Sequence, residues 1–123
     1  MQNLGNALAD QGSRMTGPEG ADLLAQAVES YRAALRVRTE ADHPVDWAMT
    51  QENLAIAERA RAQHDSSTDP AGHLRAALAH ADAALRVYDP VHMSHYHAEA
   101  SVLREAILAD LDALPPQDDG NRG

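Results

Sequence analysis

The chain has 123 residues, enough for one shared core, and a formal charge of −9 in which all ten basic residues are arginine. That balance argues against a nucleic-acid backbone or an anionic membrane as partner, and the absence of cysteine excludes disulfides, thiolate nucleophiles and thiolate-bound zinc. Phenylalanine is also missing, aromatic residues make up 3% and hydrophobic residues 44%, so a core must come mainly from Ala, Leu and Val, whose modest size suits close helix–helix approach.

The opening residues, Met1 to Asp10, contain neither a basic nor an apolar leader segment, and no stretch approaches the roughly 18 consecutive apolar residues of a membrane span. The expectation is a soluble, cytoplasmic protein. Four prolines, Pro18, Pro44, Pro70 and Pro90, stand directly before stretches with helical periodicity. Proline is tolerated in the first helical turn, where its missing N–H has no partner to lose, so all four are read as helix starts. Asp69 and Asp89 precede two of them as candidate caps. This predicts five helices, at about 1–14, 18–38, 44–64, 70–88 and 90–114. Pro115 and Pro116 end the last one, and the polar stretch 115–123 is expected to be a disordered tail.

The second helix carries the stripe Leu24, Ala27, Val28, Tyr31, Ala34 and Leu35. The fourth carries Leu74, Ala77, Leu78, Ala81, Leu85 and Tyr88, and the fifth Met93, Tyr96, Ala100, Leu103, Ile107, Leu111 and Leu114. No useful length alternates with period two, so the fold class is all-α. Shifting the chain by 50 residues aligns Asn3-Leu4 with Asn53-Leu54, and Ala33-Ala34-Leu35-Arg36-Val37 with Ala83-Ala84-Leu85-Arg86-Val87. A five-residue identity inside matching stripes marks a stacked helical array.

Asn3-Leu4-Gly5-Asn6-Ala7-Leu8, then Ala27-Val28 and Tyr31-Arg32-Ala33-Ala34-Leu35, resemble the two helices of a tetratricopeptide repeat (TPR). Trp47-Ala48-Met49-Thr50-Gln51-Glu52-Asn53-Leu54 is similar to the opening of a longer bacterial variant. The resemblance implies antiparallel helix pairs stacked as a short right-handed solenoid of two and a half repeats, 1–38, 44–88 and 90–114, in one domain, 1–114. The repeats differ in detail: Gly5 becomes Ala55 and Tyr31 becomes Ala81. In this family the first helix of each pair lines a concave groove for peptides or partner helices. By resemblance the groove positions are Gln2, Asn6 and Asp10 in the first repeat and Glu52, Arg59 and Gln63 in the second; the third repeat does not align unambiguously. The family's carboxylate clamp is unsupported, because the counterpart of Asn6 is Ile56 and lysine is absent.

Chemistry-bearing residues concentrate at His92-Met93-Ser94-His95-Tyr96-His97-Ala98-Glu99. On a helix His92, His95 and Glu99 fall at i, i+3 and i+7, a spacing at which imidazole and carboxylate could hold a borderline metal. We read them instead as the polar face opposite Met93, Tyr96 and Leu103, and expect no metal and no cofactor. His73 and His80 are read as boundary histidines of the fourth helix, with donation towards His92 or His95 as the alternative. Ser94 and His95 point apart on a helix, and no orienting acid, oxyanion hole or Gly-rich phosphate loop accompanies them, so no catalytic residue is assigned. Trp47 is read as a packing anchor. Glu99, Glu105, Asp110, Asp112, Asp118 and Asp119 form a solvated acidic end, or a docking surface for a basic segment. The functional expectation is a non-enzymatic protein-interaction module that takes a protein or peptide, a basic one being electrostatically easiest. It is expected to bind through its groove or its open helical ends, the ends mattering more than any single polar residue; a self-associating structural protein is the alternative, and a metal-binding protein built on the His and Glu residues is the third reading.

Overall fold

A computed structural model describes residues 2–64 and 67–115, with side chains from residue 5 onward. Its described residues form five helices: α1 (Gln2–Arg14), α2 (Gly17–Val37), α3 (Pro44–Gln63), α4 (Pro70–Val87) and α5 (Ser94–Ala113). The expected tail beyond Pro115 lies outside the described residues. Among the described residues no helix is long and apolar enough to cross a membrane.

Three prolines act as expected: Pro44 and Pro70 open their helices, and Pro18 sits in the first turn of α2, beside Gly17. Gly17 has φ 77°, a left-handed conformation that lets the chain reverse between α1 and α2. Asp69 caps α4 by accepting the Gly72 N–H at 3.1 Å. Pro90 does not open a helix. Residues 90–93 form a turn in which Asp89 accepts the Val91 N–H on its side chain, at 2.9 Å, and the Met93 N–H on its carbonyl, at 2.7 Å. Asp followed by Pro also opens a β-turn, and here the turn prevails.

The 50-residue repeat extends to the backbone. α3 and α5 begin and end 50 residues apart, as do the C-terminal ends of α2 and α4. The flanking hydrogen bonds recur at the same offset: Arg38 to Ala34 and Tyr88 to Ala84, His43 to Thr39 and Met93 to Asp89, His64 to Arg61 and Leu114 to Leu111. Neighbouring helices are antiparallel. Arg38 meets Asp46 and Arg32 approaches Glu58 between α2 and α3. Glu58 meets His73 and Glu52 meets Tyr88 between α3 and α4. Alternate helices touch too, α1 with α3 and α3 with α5, so α3 contacts all the others.

Alanine makes these approaches possible. Ala27, Val28, Tyr31, Leu54 and Ala57 join α2 to α3, with Leu8 and Ala9 of α1 against them. Ala55, Leu74, Ala77, Ala81 and Ile107 form a second cluster, joined by Leu103, Leu111 and Leu114. The leucine stripe of α5 therefore packs inward. Trp47 is partly buried against the third cluster, Ala48, Ala84, Tyr88 and Ala100, which joins α3, α4 and α5.

The departures between repeats compensate each other. A Cβ on Gly5 would lie 2.6 Å from the Tyr31 ring, closer than real contacts allow, so the large ring requires glycine opposite it. In the next repeat Ala55 and Ala81, both fully buried, fill the corresponding space. Gly5→Ala is expected to cost about 1–3 kcal/mol by overpacking, and Tyr31→Ala about 3–5 kcal/mol by leaving a cavity. In the Tyr31→Ala background the Gly5→Ala change should instead stabilise, since helix propensity alone then favours it by roughly 1 kcal/mol. Urea denaturation of the four proteins measures the cycle; additive costs would show that the two positions are independent.

Candidate functional site

Among the described residues α1, α3 and α5 share one face, and two cavities open between them. The larger, about 590 Å³, lies between α3 and α5 and is lined by Glu52, Ile56, Arg59, His95, Ala98, Glu99, Val102, Leu103 and Ala106. The smaller, about 290 Å³, lies between α1 and α3 and includes Asn6, Asp10 and Tyr31. Ile56 lines both, so they are neighbouring parts of one groove, and this isoleucine is 48% exposed. Val102 is 70% exposed.

Five of the six groove residues expected from the sequence can be placed. Asn6 and Asp10 line the smaller cavity; Asn6 accepts the Tyr31 hydroxyl and Asp10 pairs with Arg14 at 2.9 Å on the surface. Glu52 and Arg59 line the larger one. Gln63 is set apart, in a recess with Ala62, Leu74 and Leu114 at the far end of α3. The Gln2 side chain lies outside the described residues.

Arg59 and Gln63 converge on one carboxylate. Arg59 Nε donates to Asp110 at 2.6 Å and Gln63 Nε2 donates to it at 3.3 Å. Asp110 is therefore engaged by this chain's own arginine, which neutralises that end of the groove. The other end is different. Glu52 accepts the Tyr88 hydroxyl at 2.9 Å, and Glu99 meets His95 Nε2 at 2.9 Å; neither carboxylate has an arginine against it among the described residues. Tyr96 stacks on Tyr88 with ring centroids 5.4 Å apart and takes the His95 ring edge-on at 5.9 Å. Burial pushes the Glu52 carboxyl above its ordinary value, opposed by the Tyr88 hydrogen bond and reinforced by the nearby Glu99 charge. The Tyr88 phenol is raised as well, by burial and by Glu52.

The three-residue metal arrangement does not form. His92 falls in the turn before α5, where it is tied to Asp89, so only His95 and Glu99 share a helical face. No group of three or more His, Asp or Glu side chains suited to a metal ion occurs among the described residues. His73 and His80 both turn to α3: His73 meets Glu58 at 3.0 Å and His80 meets Gln51 at 2.6 Å, not His92 or His95.

Val102 and Ala106 escaped the sequence reading, yet the signal was present. The 50-residue offset carries Glu52 to Val102 and Ile56 to Ala106, and the structure extends that register through α5. Glu58 escaped as well. Its side chain is only 3% exposed, and it gathers His73 at 3.0 Å, Arg61 at 3.5 Å and Arg32 at 4.0 Å where α2, α3 and α4 meet. Comparison with protein-family models, curated proteins and solved structures finds no match to this chain.

Burial lowers the affinity of His80 for a proton, with Glu58 opposing the shift. Above the ordinary value of 6.5 the ring is neutral in both folded and unfolded states. Below it the unfolded chain takes a proton that the folded ring resists, so stability declines as pH falls from 6.5 towards the lowered folded value. His80→Gln, which can still donate to Gln51, should flatten that decline in urea titrations between about pH 7 and 5. An unchanged slope would place the effect elsewhere.

Proposed function

We propose that this protein is a non-enzymatic, cytoplasmic protein-interaction module of tetratricopeptide type, two and a half repeats stacked in a right-handed solenoid. Its groove on α1, α3 and α5 receives a peptide or helix from another protein. The carrying observation is the apolar hollow between α3 and α5, where Ile56 and Val102 stay exposed although the neighbouring helix contacts are closed by alanine. Exposed apolar side chains gathered in a concavity favour a partner over plain solvent. The recurrence of helix ends and turn hydrogen bonds every 50 residues supports the repeat assignment. The groove is preferred to the open ends as the binding surface, because the leucine stripe of α5 is turned inward and Glu105 and Asp112 on that helix are exposed.

Selection of a random peptide library displayed on phage, with the full chain immobilised, tests this reading. Peptides that bind the wild type should lose about tenfold or more in affinity on Val102→Asp, a difference of about 1.4 kcal/mol. The circular dichroism spectrum should not change, since Val102 is surface-exposed. Binders that hold Val102→Asp as tightly as the wild type would place the interaction outside the groove.

A further inference from the structure

Resting on that reading, we infer that the larger cavity takes an amphipathic helix of a partner protein, with an Arg or Lys side chain set between Glu52 and Glu99 and apolar side chains against Ile56 and Val102. Charge decides the occupant. At one end of the hollow Arg59 is already bound to Asp110 at 2.6 Å. At the other, Glu99 sits close enough to raise the proton affinity of Glu52, and among the described residues the two acids are met by Tyr88 and His95 rather than by an arginine. Two carboxylates on the lining of an apolar hollow form a seat for a cation, which gains charge-assisted hydrogen bonds from both acids. A chain of charge −9 draws such a partner from a distance and repels an acidic one.

The helical form of the occupant follows from the lining. On α5, Ala98, Val102 and Ala106 recur every four residues, and on α3 Glu52 is followed four residues later by Ile56. Rows of this spacing form the grooves into which the ridges of another helix pack, and alanine on either side of Val102 allows close approach. Glu52 and Ile56 are separated by about 6 Å of helix rise, one turn. The partner's basic residue therefore stands one turn from its apolar anchor, three or four positions away. Glu52 also sits there at a cost: a partly buried carboxylate met, among the described residues, by a hydroxyl and not by an arginine is less stable than a neutral group that could still accept from Tyr88.

The test is a display library on a helical peptide scaffold with one face randomised, selected on the wild-type chain, on Glu52→Gln/Glu99→Gln and on Val102→Asp. The Glu52→Gln side chain keeps an acceptor for Tyr88, and the double variant is expected to unfold at the same or higher urea concentration than the wild type. Wild-type binders should be enriched in Arg or Lys three or four residues from an apolar pair, and should weaken as salt rises. On the double variant the basic preference should vanish while the apolar one stays, with affinity for a wild-type binder down about fivefold or more. Wild-type binders that lack the basic residue, or that hold the double variant equally well yet lose Val102→Asp, would overturn the charge assignment and leave the groove standing. Failure of Val102→Asp to weaken any binder, or no enrichment at all, would overturn both.

Discussion

Because α3 is covered on both flanks, by α2 through Leu54 and Ala57 and by α4 through Ala48 and Ala55, it has a single long side left for solvent, and the other helices are arranged around it. Helices covered on two sides by close neighbours need small residues at both contacts, and alanine supplies them without loss of helix propensity. The same double burial explains why α3 shows no clean apolar stripe: its two buried flanks are separated by more than one helical face. The uncovered side bears Glu52, Ile56 and Arg59, so the groove occupies the side of α3 that the stacking leaves free.

One buried charge accompanies this arrangement. Glu58 lies on α3 among Arg32 of α2, Arg61 of its own helix and His73 of α4, so its carboxylate links both neighbours of the central helix. A carboxylate removed from water is tolerable only when paired and hydrogen-bonded. Its arginines remain a quarter to a half exposed, so their pairing is screened and weaker than a fully enclosed ion pair. Glu58 thereby makes the relative placement of α2, α3 and α4 specific more than it makes it strong.

The fold was legible where local chemistry and tertiary packing agree. Pro44 and Pro70 located helix starts correctly, and the identity between residues 33–37 and 83–87 falls at the C-terminal ends of α2 and α4, which lie 50 residues apart. Pro90 misled because Asp-Pro serves equally as a cap with a first helical residue and as the opening of a turn, and only the hydrogen bonds of Asp89 separate the two. Val102 stayed hidden because α3 and α5, at their common register, share only Ala48 and Ala98 as identical residues, so the repeat survives there in backbone and not in side chains. The exchange of Gly5 and Tyr31 for Ala55 and Ala81 read as divergence in sequence. It is a conservation of space, visible only once the two helices are set against each other.

The groove acids show how the repeat produces difference from sameness. Asp10, Ala60 and Asp110 occupy one register position on α1, α3 and α5, and Glu52 and Val102 share another. Asp110 is met by Arg59 from α3, whereas Glu52 is met by the uncharged Tyr88 hydroxyl from α4. The arginine bound to Asp110 neutralises one end of the hollow, and the tyrosine hydroxyl on Glu52, which carries no charge, leaves the other end acidic. At physiological ionic strength charges are screened over about 8 Å, so these ends are felt separately by anything lying in the groove. A repeat that kept strict identity would present a uniform surface; substitution at equivalent positions gives this one a polar direction.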